Sequence, residues 1–333
     1  MADRQLDLFG APAATPRGVG AATVAAALRA LAARLPAELR LGTSSWSFPG
    51  WSGIVYDRAA TPTRLARDGL AAYARHPLLR TVGVDRTYYA PIDSAVFAAY
   101  AAAVPDDFRF VVKAPETLTA ALFPRHPRYG VDAGARNAGF LDAAWASEAI
   151  CAPMALGLGD KAGVLVFQFP PQSPAPLGGA ARFAERLHAF LVRLPRAPMA
   201  YAVELRNADL LGTSYADALA AAGACHVVNV HPSMPPPAAQ AALTDRADAP
   251  ARVVRWMLGH GQDYEAARER YRPFDRLVDP DPLSRAAIAD LCRVSAARRR
   301  PAYVVINNKA EGSAPLSAIE LARQLAAAEG GVP

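Results

Sequence analysis

Eight short runs of β-branched and apolar residues recur along this chain, separated by Ala-rich stretches with helical spacing, and that alternation constrains the fold more than any other feature. The runs are LRLGTSS (39 to 45), TVGVDRT (81 to 87), RFVVKAP (109 to 115), GVLVFQFP (163 to 170), MAYAVELR (199 to 206), HVVNV (226 to 230), RVVRWML (252 to 258) and YVVINN (303 to 308). Helical patterns such as SAVFAAYAAAV, ARFAERLHAFLVRL, SYADALAAAG and SRAAIADLCRVSAARR lie between them, and SAIELARQLAAAE follows the eighth. Strands in strict alternation with helices pair in parallel, and eight of them predict an α/β fold, a TIM-like (β/α)8 parallel barrel. An open doubly wound sheet would usually place a Gly-rich phosphate loop after its first strand, and GTSSWSFPGW is not one. Two connections exceed a loop plus a helix: residues 116 to 162 after strand 3 and 259 to 302 after strand 7. Connections that follow barrel strands build the rim where active sites sit, so both are expected to wall or cover a pocket.

A barrel absorbs most of the 333 residues, leaving 21 to 333 as one domain and 1 to 20 as a tail, in which QLDLF precedes the linker-like GAPAATPRGVG. Val24, Leu28, Leu31 and Leu35 predict a helix from Ala21 to Pro36, packed across the bottom of the barrel. A hydrophobic content of 52% with 20% charged residues excludes a disordered chain. Cys151, Cys225 and Cys292 form no CxxC pair, so neither a disulfide framework nor a thiolate metal knuckle is indicated, and a reducing cytoplasm fits. There is no leader pattern and no apolar run near the roughly 18 residues of a membrane span, so no membrane association is expected. The net charge of +6 and the run Arg298, Arg299 and Arg300 favour anionic partners, although an Arg-rich composition also follows from genome base composition.

Successive residues of a barrel strand point alternately inward and outward, so inward polar groups can be found by parity. Gly83, Asp85 and Thr87 share one face of strand 2. The corresponding faces carry Val111 and Lys113, Val166 and Gln168, Ala202, Glu204 and Arg206, Val253 and Arg255, and Val305 and Asn307. Apolar residues begin these faces and polar ones end them, which marks a functional C-terminal rim. Buried charges have to be paired, so these residues form either a structural ion network or a ligand site. In the second case Lys113 and Arg255 hold an anion, Glu204 serves as general acid or base, and Gln168 and Asn307 orient hydroxyls or carbonyls. Lys113 is a Schiff-base nucleophile, a phosphate ligand or a salt-bridged lysine, and nothing in the sequence separates the three. Of the six histidines only His231 and His260 fall just after strands, too few with Glu204 or Asp85 for a metal cluster; all six are expected in loops or on the surface. No cofactor is expected, with a divalent metal as the alternative. Trp46, Phe48, Trp51 and Tyr56, then Tyr88 and Tyr89, crowd the first two rim loops, where rings either stack on a ligand or cover the core.

Taken together, GTSSWSFPGWSGIVY, VGVDRTYYAP, FRFVVKAPETLT, GVLVFQFPP, YAVELRN and VVINNKAEGSAP resemble, in order, the YecE-like family, domain of unknown function 72. The resemblance implies a TIM-like barrel, similar to the endonuclease IV and xylose isomerase groups, with no established activity. By motif it carries over Trp46, Trp51, Thr87, Tyr88, Lys113, Gln168, Glu204, Arg206, Asn307 and Asn308. The chain departs from the family's pattern at Asp85 and Arg86, where Asn and Ser are frequent, and at Lys309, where His often follows the paired asparagines.

The tail carries a second resemblance. Gln5, Leu6, Asp7, Leu8 and Phe9 match the consensus by which bacterial repair and replication proteins bind the sliding clamp, with Leu8 and Phe9 filling an apolar groove and Gln5 bonding at its edge. The alternative is an apolar tail packed on its own barrel. Two functions follow as expectations. One is a DNA-associated barrel, hydrolase- or nuclease-like, that binds a phosphate-bearing or nucleic-acid ligand at its rim. The other is a small-molecule enzyme of isomerase, aldolase or lyase type using Lys113 and Glu204. In both, replacing Lys113 or Glu204 is expected to leave a folded chain.

Overall fold

A computed structural model describes residues 18–329, apart from Ala197 and His260. Eight parallel strands close into a barrel in sequence order: β1 (Leu39–Thr43), β2 (Leu79–Val84), β3 (Arg109–Lys113), β4 (Ala162–Gln168), β5 (Ala200–Glu204), β6 (Cys225–Val230), β7 (Arg252–Trp256) and β8 (Ala302–Ile306). Closure sets Leu39 opposite Ala302 and Thr43 opposite Ile306, so no strand is left with an open edge. Parity works as the period-2 geometry requires. Val111, Val164, Val166, Ala202, Cys225, Val227, Val253 and Val305 form one buried cluster inside the barrel. Their strand neighbours Val82, Val112, Leu165, Phe167, Val203, Val228, Val254 and Val304 belong to the larger core between sheet and helices.

Most strands stop one to three residues short of the apolar runs that marked them. Beyond those ends single backbone bonds still reach the next strand, from Ala114 N to Val166 O and from Asn307 N to Trp256 O, each 2.8 Å. The chain then turns over the rim. Gly42 is required where β1 and β2 shift register, because a Cβ there would lie 1.9 Å from the Thr81 carbonyl oxygen.

The first helix runs only over Ala26–Ala33, shorter than its spacing suggested. Residues before it are held elsewhere: Ala22 N donates to Val55 O and Asp57 N to Gly20 O, bonds incompatible with a helix starting at Ala21. That helix packs beside the last one, Ala314–Glu329. Both long connections hold helices of their own, the short Ala143–Ala146 and Ala152–Leu158 after β3, and Tyr264–Tyr271 and the 16-residue Pro282–Ala297 after β7. The cysteines are buried and free.

At the end of the barrel opposite the rim, Asp245 gathers Arg252 at 2.6 Å, Arg300 at 2.8 Å and Arg298 at 3.1 Å. This corrects the reading of Arg298 to Arg300 as a patch for anionic partners. Two of the three guanidiniums are spent on an internal carboxylate, and Arg300 is buried. The histidine expectation also needs correcting. His76 sits in a loop as expected, although buried, but His226 is a buried residue of β6 whose ring nitrogens bond to Tyr215 at 2.8 Å and Gln240 at 3.1 Å. Burial pushes its pKa down to about 4, so it is a neutral core residue.

Candidate functional site

The strand ends converge on an ion cluster. Glu204, the last residue of β5 and 0% exposed, holds Arg206 through Oε1 at 2.5 Å and Arg255 through Oε2 at 2.5 Å. Arg255, the next-to-last residue of β7, also donates to Gln168 Oε1 at 3.1 Å and reaches both Asp85 oxygens at 3.3 Å. Parity explains the meeting: the ladder puts Gln168 opposite Glu204, and both point with Arg255 into the top layer of the barrel.

Burial alone would raise the Glu204 pKa, but the two guanidiniums outweigh it and hold the carboxyl down at about 2. A carboxylate so held, with no exposure, is a poor proton carrier at neutral pH, so its chemistry is that of an anchor for two arginines. Burial lowers the Arg206 pKa, whereas Glu204 and Asp85 overcome burial and raise that of Arg255; both side chains stay cationic, as guanidinium does in proteins.

Above this cluster lies a cavity of about 290 Å³. Lys113, Arg206, Arg255, Asp85, Gln168 and Asn307 face it, six of the residues selected by parity, with His231, Tyr89 and Tyr264 completing much of the wall. Lys113 Nζ stands 3.6 Å from the centre of the Tyr88 ring, a cation–π distance. Burial lowers its pKa to about 8, with Asp85 opposing and Arg255 reinforcing that shift. Tyr88 is in turn fixed by donating to Glu116 Oε1 at 2.6 Å, and Tyr129 donates to the other Glu116 oxygen. The long connection after β3 therefore sets the floor under Lys113, and that after β7 supplies Tyr264.

Other residues carried over by motif sit outside the cavity. Thr87 is buried in the turn Arg86–Tyr88, not on an extended β2, and its hydroxyl donates to Val84 O at 2.9 Å and Lys113 O at 2.6 Å, tying two rim segments together. Trp51, 0% exposed, donates from its indole to Asn308 Oδ1 at 3.2 Å, and the same oxygen accepts from Ala314 N at the start of the last helix. Both are structural. Trp46 lies edge-on to Tyr100 and lines a separate hollow of about 180 Å³ that shares Asp85 with the main cavity. His231 falls just after β6 and carries no charge that marks it, yet counting by twos from Cys225 and Val227 along β6 arrives at it. Glu116 had no such signal, since it acts through Tyr88 from a non-periodic loop. Residues 5 to 9 and His260 lie outside the described residues. Among those described, no group of three or more His, Cys, Asp or Glu is placed to hold a metal, and no helix is long and apolar enough to cross a membrane.

A closed (β/α)8 barrel with a charged cavity at the C-terminal ends of its strands defines the class of this protein. Within that class the chain belongs to the DUF72 family, whose model, described as a protein of unknown function, matches residues 40–332. Among solved structures it is similar to a DUF72 family protein from Thermotoga maritima, at 21% identity and TM-score 0.57, covering 86% of this chain and 98% of that one. It is also similar to a DUF72 family protein from Enterococcus faecalis, at 19% identity and TM-score 0.57, covering 86% and 95%. These likenesses support the fold. No curated protein matches the chain.

Proposed function

We propose that the rim cavity binds a small phosphate-bearing ligand of mononucleotide or sugar-phosphate size. The observation that carries this reading is the charge balance at the cavity: three cations on its wall, Lys113, Arg206 and Arg255, stand against Asp85 on the same wall and Glu204 buried beneath it, and both carboxylates are engaged by arginine. An incoming anion offsets the excess charge, and the fork of Arg206 suits phosphate geometry. Gln168 and Asn307 offer amide groups to hydroxyls or carbonyls of the same ligand. A cavity of about 290 Å³ is far too small for a duplex, so a nucleic acid would have to enter by a strand end or a displaced nucleotide.

Calorimetric titration with inorganic phosphate, pyrophosphate and 5′-mononucleotides at low and high salt tests the site. Arg206→Met should weaken binding on the order of 10- to 100-fold, the worth of a charge-assisted hydrogen bond, and should also lower the melting temperature, though less than loss of Glu204, because Glu204 keeps Arg255 as its partner. Undetectable binding by the parent, or equal affinity of the two forms, would exclude it.

Gln5 to Phe9 supply the reading's DNA context: bound to the sliding clamp, this segment would bring the barrel to replicating or repaired DNA and raise its local concentration there. Replacing Leu8 and Phe9 by Ala should abolish clamp binding in a direct titration and leave thermal stability unchanged. A large loss of stability would instead mean that the segment packs on its own barrel, and unchanged affinity would remove the clamp from the reading.

A further inference from the structure

We propose that Lys113 is a covalent nucleophile whose amine condenses with the carbonyl carbon of a phosphorylated aldehyde or ketone held in the rim cavity. The inference rests on the phosphate-binding reading and adds the substrate's reactive group. Three observations carry it. First, Lys113 has no ion pair and no hydrogen bond among the described residues, although Asp85 borders the same cavity and Glu204 lies in the ion cluster beneath it; Glu204 is taken by Arg206 and Arg255, and Asp85 by Arg255. A salt-bridged lysine is thereby set aside. Second, its amine rests on the Tyr88 face at 3.6 Å, with its remaining side open to the cavity that Arg206 also lines. Third, the chain contains three lysines against 33 arginines, yet a lysine occupies this position. Where only a fixed positive charge is needed, either residue serves; only lysine can become a neutral amine.

The desolvated site favours that neutral form, and burial brings the lysine down to about 8, which leaves on the order of a tenth of the amine uncharged near pH 7. The amine nitrogen attacks the carbonyl carbon to give a carbinolamine. The C–O bond then breaks, the oxygen leaves as water with two of the three protons of the original ammonium, and a protonated imine remains. That iminium carries one positive charge, as the ammonium did, so the balance with Asp85 and the arginines is preserved. Arg206 and Lys113 thus divide the work: one holds the phosphate, the other takes the carbonyl.

The experiment is reductive trapping. Intact protein is incubated with glyceraldehyde 3-phosphate, dihydroxyacetone phosphate or 2-deoxyribose 5-phosphate, reduced with cyanoborohydride, and weighed by mass spectrometry. A single adduct that maps to Lys113, suppressed by excess glycerol 3-phosphate and reduced at least tenfold in Lys113→Met, is the expected result. The other two lysines are internal controls: Lys161 is tied to the Ala101 and Val104 carbonyls, and Lys309 stands over the Tyr264 ring. Adduct spread evenly over all three lysines, or none from any probe while glycerol 3-phosphate binds, would overturn the covalent role and leave the phosphate site intact. Failure of glycerol 3-phosphate to bind, with no adduct, would remove both. Mapping on the parent chain decides the matter even if the variant folds poorly.

Discussion

Glu204→Ala should cost about 3 to 5 kcal/mol of stability, because it leaves Arg206 and Arg255 buried and facing each other without their shared carboxylate. Chemical denaturation of parent and variant measures this, and a change below about 1 kcal/mol would show that the arginines find other partners. The expectation that both Lys113 and Glu204 could be replaced without harm to the fold therefore separates into two. Among the described residues Lys113 has no ion partner to strand, so its substitution should alter the cavity and spare the core. A pH series adds a second test of the ion cluster. The Glu204 pKa falls from 4.5 in the unfolded chain to about 2 in the folded one, so the ionised form is the one that folding favours. Its contribution, about 3 kcal/mol by linkage, is complete above the unfolded value and disappears as pH falls through the folded one. Glu204→Gln, which cannot ionise, should thus be much less stable than the parent near neutrality and converge with it in acid.

Asp245→Ala should have the next largest effect, about 3 kcal/mol or more, at the opposite end of the barrel. Arg252, the first residue of β7, and Arg300 are each only 4% exposed in their side chains, and both rely on this one carboxylate. Losing it leaves a buried pair of like charges where β7 enters the sheet. Binding of phosphate at the rim should be unchanged in the residual folded protein, since the two clusters occupy opposite ends of the strands. A variant as stable as the parent but defective in binding an anionic partner would return Arg298 to Arg300 to the role that charge alone suggested.

Much of the rim is legible in the sequence. Apolar residues followed by Lys113, Gln168, Glu204, Arg206, Arg255 and Asn307 at the same parity meant one polar layer, since a parallel strand cannot change the side of its side chains without breaking its ladder. The same argument failed at Thr87, because β2 ends at Val84 and the chain turns before reaching it. It passed over His231, where β6 offers no charged residue to draw attention. Motif resemblance placed Trp51 and Asn308 beside the ligand residues, yet they bond to each other in the core, because a motif records that residues recur together and not which way they face.

The sequence by itself determined the eightfold alternation, the closed parallel barrel and the end of it where charge accumulates, since all three follow from local periodicity and from the handedness of strand–helix–strand units. Tertiary structure alone decided which charges neutralise which. Glu204 chose Arg255, 51 residues away, and Asp85 is joined to the same guanidinium across 170 residues. Such pairings depend on the stagger of the closed barrel, which brings strand ends within hydrogen-bonding distance regardless of their separation along the chain. That stagger, invisible in any single strand, is what leaves Lys113 without a paired carboxylate among the described residues and gives its amine to the cavity.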